Sequence, residues 1–433
     1  MEGIVKVLSG VLLPLLLCGA GGYFLFAVGG KILRHPRRAL GAIKGKSAAR
    51  ALAVALAGTL GVGNIAGVAT AIVLGGAGAV FWMWVSALLA MLLKYAEIVL
   101  ALRTRRYDAT GRAHGGAMLY IKEGFGGRLG KALAAAFAVL CLLCSFTLGG
   151  VIQSSAAAEA MAGVFHVPPL AVGIGIGGLA ALILAKGSAR IESACSGLVP
   201  FVCVLFSVAS VAVLILRREA IPEALAAILK GAFTWKSGGA GVLGFLTARS
   251  LRYGVARGLV SNEAGCGTAP IAHAAAETKS PAAQGVWGTI EVFVDTVLLC
   301  SMTALAILVS GVPLVGEGGT MLAIRAFGAV LGEIAAPTLS LSILIFAFAT
   351  VLCWSHYGSE CLLYLTGKPG AAKWMIPAVL ICSVIGAVAA PALLWELTDL
   401  IIALMAILNI SALLVCRRAV IEETRCYFKD PYT

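Results

Sequence analysis

Apolar runs of about 20 residues constrain the fold of this 433-residue chain more than any other feature of its sequence. A helix needs about 20 apolar residues to cross roughly 30 Å of hydrocarbon. Eleven runs meet that length: 3–30, 48–78, 79–103, 130–164, 168–186, 196–217, 240–276, 283–312, 335–366, 372–390 and 392–416. The sequence therefore predicts an all-α polytopic membrane protein with eleven transmembrane helices, numbered one to eleven in chain order.

Basic residues concentrate in alternate loops between these runs. The loops after helices one and three hold seven Lys and Arg residues each. Because such loops stay in the cytoplasm, we expect the N-terminus outside and a cytoplasmic tail at 417–433. This distribution explains the net charge of +13, so no nucleic-acid partner is expected. Most of the twelve cysteines lie in apolar runs, which indicates buried small side chains rather than disulfides or a metal site.

Helix two contains a segment that should not remain helical. Four of the ten residues from Gly58 to Gly67 are glycine, although the surrounding sequence is apolar. Non-helical backbone at membrane depth persists only where protein, water or a ligand satisfies its N–H and C=O groups. The segment 58–67 is therefore a candidate binding site.

Helix seven contains a second such segment, Arg257 to Pro270, with three glycines and the polar residues Ser261, Asn262 and Glu263. The two broken helices are five apart, so they cross the membrane in opposite directions. Paired broken helices in opposite orientations indicate the inverted repeat of LeuT-type secondary transporters.

On this interpretation the chain is a single transmembrane transporter domain, 1–433. A first repeat over 48–217 contains helices two to six, a second repeat over 240–416 contains helices seven to eleven, and the helix over 3–30 is additional. The alternative is that the glycines only permit close helix packing. That alternative explains Gly75, Gly76 and Gly78, but not two polar breaks at matching positions.

Several motifs resemble those of the alanine or glycine:cation symporter family, in the expected order along nearly the whole chain. Besides the two breaks, they are G-G-A-G-A-V-F-W-M-W-V-S-A-L-L at 75–89, K-Y-A-E at 94–97, G-G-A-M-L-Y-I at 115–121, E-V-F-V-D-T at 291–296, and F-A-F-A-T at 346–350 running into W-S-H-Y-G at 354–358.

The resemblance implies a sodium-coupled symporter that imports small neutral amino acids, alanine or glycine first, across a prokaryotic plasma membrane by alternating access. It implies no enzyme activity, no cofactor, and no obligate protein partner; the amino acid, the coupling ion Na⁺ and the lipid bilayer are the expected partners. Two alternatives stay open: proton coupling with Glu263 or Asp295 as carrier, and another small amino acid such as serine as the main substrate.

The substrate would bind where the two breaks meet. Half-helix N-termini suit a carboxylate, while unwound carbonyls suit an ammonium group or sodium. The carboxylate candidates are the N–H groups of Gly61, Gly63 and Asn64, and the ammonium candidates are the carbonyls of Gly58, Thr59, Ser261 and Asn262. The resemblance adds the Gln153 amide on helix four as a substrate contact and Trp354 on helix nine as a wall that limits side-chain size.

The pattern of the fold, laid on this sequence, also gives a sodium site between helix two and helix nine. Its ligands would be the carbonyls of Ala57, Leu60 and Phe346 and the hydroxyl of Thr350. Val62 stands where related chains often carry threonine, so we expect substrate preference to differ at that position.

Plainer interpretations stay open for several of these residues. Gln153 would then bridge two helices, Trp354 would be a core or interfacial side chain, and Thr350 would bond to its own helix. For Glu263 we favour a structural role, capping freed N–H groups and pairing with Arg257.

Lys94 and Glu97 stand three residues apart on helix three. Side chains at that spacing lie on one helix face, so we expect the two charges to neutralise each other.

Overall fold

The computed structural model describes residues 8, 12–34, 37, 46–233, 249–278, 280–314, 319–389 and 392–429. These residues are almost entirely helical. The exception is a two-stranded antiparallel hairpin that pairs β1, Arg106–Tyr107, with β2, Ala113–His114. The predicted all-α class is confirmed.

The apolar runs form the main helices. Their bounds, in chain order, are Leu13–Arg34 for helix one; Lys46–Thr59 and Ala66–Gly75 for helix two; Gly78–Thr104 for helix three; Gly127–Phe165 for helix four; Pro169–Ala185 for helix five; Ser188–Leu216 for helix six; Arg249–Asn262 and Ala269–His273 for helix seven; Pro281–Ser310 for helix eight; Ala335–Thr366 for helix nine; Met375–Val388 for helix ten; and Ala392–Val415 for helix eleven. Helices one, four and eight contain π-helical turns at Leu25–Gly29, Thr147–Ile152 and Phe293–Cys300.

The predicted count of eleven spans is only partly reached in the described ranges. Eight helices there are long and apolar enough to cross a bilayer, and the bent halves of helix two make a ninth. Helix five, Pro169–Ala185, is apolar but shorter. Residues 240–248 of helix seven and most of 3–11 of helix one lie outside the described residues, so eleven remains a prediction.

Three connecting segments in the described residues contain short α-helices. The segment between helices three and four contains Ala117–Phe125, which follows the hairpin. The segment after helix six contains the helix Ile221–Ala232. The segment between helices eight and nine contains the helix Gly319–Leu331, which none of the eleven apolar runs includes. Its 13 residues are too few to span a membrane, so a search for long apolar runs misses it. It packs on the second half of helix two, since a Cβ at Gly319 would lie 2.2 Å from the Ala66 carbonyl oxygen.

Glycines allow the close approach of several helix pairs. A Cβ at Gly78 would lie 2.1 Å from the backbone of Gly231. A Cβ at Gly254 of helix seven would lie 2.4 Å from the Ala79 carbonyl oxygen of helix three. The packing interpretation therefore holds for Gly78 and Gly254. It does not hold for Gly76, where a Cβ would meet nothing within 4 Å and the backbone has a φ of +77°.

The loop between helices three and four is tied to the end of helix nine. The His114 ring lies between two carboxylates, 2.8 Å from Glu360 and 3.1 Å from Asp108, and Arg112 donates to Glu360 at 2.7 Å. The hydrogen bond to Glu360 raises the pKa of His114 above its ordinary value. Hydrogen bonds from Thr110 and His114 lower the pKa of Asp108. This cluster joins the hairpin to helix nine across 246 residues of sequence.

Candidate functional site

Helix two breaks where the sequence predicts. Its first half ends at Thr59, a 3₁₀ turn follows at Val62–Asn64, and the two halves meet at 63°. Gly61 has an extended conformation, with φ −127° and ψ −157°. Its N–H donates to Asn64 Oδ1 at 3.1 Å and to the Thr59 carbonyl at 2.9 Å. The Gly61 N–H is therefore satisfied by polar groups of the break itself.

Helix seven breaks between Asn262 and Ala269. Gly265 and Gly267 have φ of +88° and +81°, a region that favours glycine. Glu263 also has a positive φ, +52°, which is uncommon for a residue with a side chain. The Gly267 N–H donates to Glu97 Oε1 of helix three at 2.8 Å, so a carboxyl oxygen satisfies a freed backbone group.

The two breaks meet at a buried polar cluster. Asn64 Nδ2 lies 3.2 Å from Ser261 Oγ and 2.7 Å from Asp295 Oδ1. Ser261 and Thr296 donate their hydroxyls to Asp295 Oδ2, each at 2.7 Å, and Asn262 Nδ2 donates to Thr296 Oγ1 at 3.1 Å. Within the described residues, every hydrogen bond of the Asp295 carboxylate comes from a neutral side chain. The predicted residues Asn64, Ser261 and Asn262 are thus brought together.

A second polar centre lies on the other side of the helix-two break. Gln153 Oε1 accepts from the Val62 N–H at 3.0 Å, and the Thr350 hydroxyl donates to the carbonyls of Ala57 at 2.9 Å and Leu60 at 3.4 Å. Thr350 therefore does not bond to its own helix. A Cβ at Gly61 would lie 2.7 Å from Thr350 Oγ1 and 2.9 Å from Gln153 Oε1. Helices two, four and nine converge on this glycine.

The remaining predicted residues have less specific surroundings. Gly58 faces Tyr357, since a Cβ there would lie 2.9 Å from the phenol oxygen. Gly63 faces Ser261, with 3.7 Å between a Cβ at 63 and the Ser261 Cα. The Thr59 hydroxyl donates within its own helix, to Ala55 at 3.4 Å. Phe346 is buried one turn before Thr350, and a role for its carbonyl stays a prediction.

Trp354 is buried against helices four and seven. Its indole N–H donates to Glu263 Oε1 at 3.1 Å. A Cβ at Gly149 of helix four would lie 2.3 Å from the Trp354 Cβ. The expected pairing of Glu263 with Arg257 is wrong, because Arg257 pairs with Asp399 of helix eleven at 3.4 Å. Glu263 bonds Trp354 of helix nine rather than Arg257, and its backbone has a positive φ.

The expected neutralisation of Lys94 by Glu97 as a direct pair is also wrong. Lys94 Nζ lies 3.1 Å from Glu291 Oε1 of helix eight. Glu97 accepts from the Gly267 N–H and from Asn409 Nδ2 of helix eleven. The two side chains are buried against different neighbours, and the freed amide of helix seven supplies a partner that sequence spacing does not show.

Two polar residues at the site, Thr296 and Asn409, were not predicted from the sequence. Thr296, together with Asp295, lies on the π-helical turn of helix eight, and such turns often mark functional sites. Asn409 donates to the Gly265 carbonyl at 2.8 Å and so supports the helix-seven break. An asparagine inside the apolar run of helix eleven is the signal that would have identified it, because polar groups at membrane depth need partners.

The sodium:alanine symporter family model matches residues 1–432 of the chain. The chain belongs to the sodium:alanine symporter family. The resemblance inferred from the motifs is thereby confirmed, and with it a transporter rather than an enzyme. As a family member, the chain is a multi-pass membrane protein whose family transports amino acids with sodium.

Curated relatives match most of this chain. Sodium/alanine symporter AgcS of Methanococcus maripaludis is 37% identical over 383 residues, which cover 87% of this chain and 83% of that protein. Probable sodium/glutamine symporter GlnT of Bacillus subtilis is 31% identical over 444 residues, which cover 99% of this chain and 91% of that protein. The two names carry different substrates, so family membership alone does not identify the amino acid.

A solved structure has the same fold as this chain. The crystal structure of MhsT in complex with L-phenylalanine matches with a TM-score of 0.64 at 13% identity, over 87% of this chain and 91% of that one. The predicted LeuT-type fold is confirmed.

Proposed function

We propose that this symporter imports small neutral amino acids, alanine or glycine first, with Na⁺ as the coupling ion. The observation that carries the proposal is the convergence of Gln153 and Thr350 on Gly61, at the break of helix two. This site joins an amide, a hydroxyl and freed carbonyls within one buried region. Such groups suit a zwitterion and a bare cation at membrane depth.

The amino acid would bind beside Gly61, where the backbone approaches without a side chain. The N–H groups of Gly61 and Asn64 are engaged within the break. A substrate carboxylate would therefore replace internal acceptors, Asn64 Oδ1 among them. The Val62 N–H, held by Gln153 Oε1, is a further amide within reach of the same centre. The substrate ammonium group would contact unwound carbonyls, including those of Ser261 and Asn262.

Sodium would bind between the Thr350 hydroxyl oxygen and the carbonyl oxygens of Ala57 and Leu60. The hydroxyl would then no longer donate its hydrogen to these carbonyls. The hydroxyl already lies within 3.4 Å of both oxygens, and hard cations prefer oxygen ligands. The Phe346 carbonyl completes the proposed set. Sodium binding would thereby join helix nine to the end of the first half of helix two, and so favour the conformation that also binds the amino acid.

Proton coupling remains the second candidate, and Asp295 is the observation in its favour. Its carboxylate is buried, and its hydrogen bonds in the described residues come from Asn64, Ser261 and Thr296, which are all neutral. A buried carboxylate without a cationic partner is costly when ionised. Glu263, the other candidate carrier, bonds Thr268 and Trp354.

The proposed setting is a prokaryotic plasma membrane with the N-terminus outside and the C-terminus in the cytoplasm. The loops carrying seven basic residues each support this orientation. The helix Arg417–Lys429 would then lie on the cytoplasmic side, where Thr424 hydrogen-bonds Tyr95 of helix three at 2.9 Å.

The thermal stability of the purified protein tests the assignment of substrate and ion. Alanine and glycine should raise the melting temperature when Na⁺ is present and much less when choline replaces it, because a ligand stabilises only the state that binds it. Glutamine and leucine should raise it little. The Asp295→Asn variant should keep the sodium requirement. Stabilisation by alanine that follows pH rather than Na⁺, and is lost in Asp295→Asn, would favour proton coupling instead.

A further inference from the structure

Glu263 has a backbone conformation that costs free energy. Its φ of +52° occurs in the middle of the helix-seven break, although residues with a side chain seldom adopt positive φ. Strained residues of this kind persist when surrounding contacts hold them, and they concentrate at functional sites. Within the described residues the Glu263 side chain bonds Thr268 and Trp354 rather than freed N–H groups, so the expected capping role does not account for its contacts.

The Glu263 carboxylate joins two elements with its two oxygens. Oε2 accepts from the Thr268 hydroxyl at 2.7 Å, across the break in helix seven. Oε1 accepts from the Trp354 indole N–H of helix nine at 3.1 Å. Both side chains and Glu263 itself are buried, so water does not compete for these bonds.

The orientation of the Trp354 indole depends on this acceptor. One side of the residue is fixed by helix four, where a Cβ at Gly149 would lie 2.3 Å from its Cβ. The Tyr357 ring packs edge to face at 5.5 Å. Packing therefore holds the base of the side chain, while Glu263 Oε1 is the polar atom that fixes the far edge of the ring.

Trp354 lies next to the centre where the substrate is proposed to bind. On helix nine it is one turn from Thr350, and Gly149 beneath it is about one turn from Gln153 on helix four. Thr350 and Gln153 are the two side chains that face Gly61. A rotation of the indole would therefore change the space beside Gly61, where the side chain of an amino acid would lie.

We propose that Glu263 is a positioning residue that determines specificity: its carboxylate holds the Trp354 indole and thereby limits the size of the amino-acid side chain. The inference rests on the proposed function and adds to it the residue that sets the size limit. Glu263 lies in the helix-seven break and also bonds Thr268 across it. The residue that sets the size limit is therefore part of the broken segment.

Three variants and one control separate this role from a general structural one. Glu263→Ala removes the acceptor. Glu263→Gln keeps one oxygen for the indole, and its amide nitrogen donates to Thr268. Trp354→Phe keeps most of the ring but has no N–H. Thr268→Val is the matched control, since it removes the bond across the break and leaves the indole bond in place.

The first measurement is the ratio of the dissociation constants of valine and alanine in the presence of Na⁺. Glu263→Ala should lower this ratio about tenfold, which corresponds to about 1.4 kcal/mol and lies within the 1–3 kcal/mol cost of leaving a buried donor without its partner. Glu263→Gln and Thr268→Val should stay within about threefold of the unmodified protein. Glu263→Ala combined with Trp354→Phe should show no more loss of selectivity than the larger single effect, since both remove one bond.

The second measurement does not need a substrate. The protein is labelled with 5-fluorotryptophan, and the fluorine resonance of residue 354 is assigned as the one missing in Trp354→Phe. Glu263→Ala should shift and broaden this resonance, whereas Glu263→Gln and Thr268→Val should preserve it. An unchanged resonance in Glu263→Ala, or additive losses of selectivity in the double variant, would overturn the proposal. Failure of the unmodified protein to bind any amino acid would instead refute the proposed function, whatever the resonance does.

Discussion

Thr350→Val is the substitution that most sharply tests the sodium site. The change replaces a hydroxyl by a methyl group of nearly the same size, so packing is almost conserved while the polar contacts are lost. In the structure that hydroxyl donates to Ala57 and Leu60 at 2.9 and 3.4 Å. Thr350 is only 1% exposed, so water does not replace the lost donor.

The expected loss of sodium affinity in Thr350→Val follows from the hydrogen bonds of the hydroxyl. Leaving a buried acceptor without its partner costs about 1–3 kcal/mol, and sodium additionally loses one of its proposed oxygen ligands. A loss of about 1.4 kcal/mol in sodium binding weakens its affinity about tenfold. At a sodium concentration about 100 times the original dissociation constant, stabilisation by sodium would fall from about 2.7 to about 1.4 kcal/mol.

The assay is a sodium titration of the melting temperature, with Thr350→Ser as the matched control. Serine keeps the hydroxyl and should keep a sodium midpoint within about threefold of the original. Thr350→Val should move the midpoint about tenfold higher while the fold persists. An unchanged midpoint in a folded Thr350→Val protein would refute the placement of sodium at Ala57, Leu60 and Thr350.

Two further predictions concern the substrate centre and the hairpin at the end of helix nine. Gly61→Ala should weaken alanine binding by about 5- to 150-fold by calorimetry, because its Cβ would lie 2.7 Å from Thr350 Oγ1 and overpacking typically costs about 1–3 kcal/mol. Gly67→Ala, where a Cβ would meet nothing within 4 Å, should bind normally; equal affinities in the two variants would contradict the site. The pKa of His114 is raised by its hydrogen bond to Glu360, so its stabilising effect is complete below its unfolded pKa of about 6.5 and is lost as pH rises through the folded value. The melting temperature should therefore fall less between pH 6 and 9 in His114→Gln than in the unmodified protein, and an identical pH profile would exclude His114 as a contributor.

Much of the fold was predictable because bilayer thickness and backbone hydrogen bonding leave few choices. Long apolar runs predicted the helices. Glycine-dense polar segments predicted both breaks, which the structure has at Gly61 and at Gly265 to Gly267. The helix Gly319–Leu331 was missed because an amphipathic segment of 13 residues has neither the length nor the uniform hydropathy of a span.

Much of the candidate site was predictable from the resemblance, which pointed to Gln153, Thr350 and Trp354. The partners of the charged residues were not predictable from spacing. Glu263 contacts Trp354, 91 residues away, and Lys94 contacts Glu291, 197 residues away. These pairings depend on which helices are neighbours and on the freed N–H groups that the breaks create, and neither can be read along one helix.

Uptake of labelled alanine into proteoliposomes tests the central claim most directly. An inward sodium gradient at fixed and equal pH is the only driving force, and a sodium ionophore provides the control. Accumulation of alanine above its external concentration, abolished by the ionophore, is the predicted result. Accumulation driven equally well by a proton gradient with no sodium present, or alanine uptake indifferent to the sodium gradient, would contradict it.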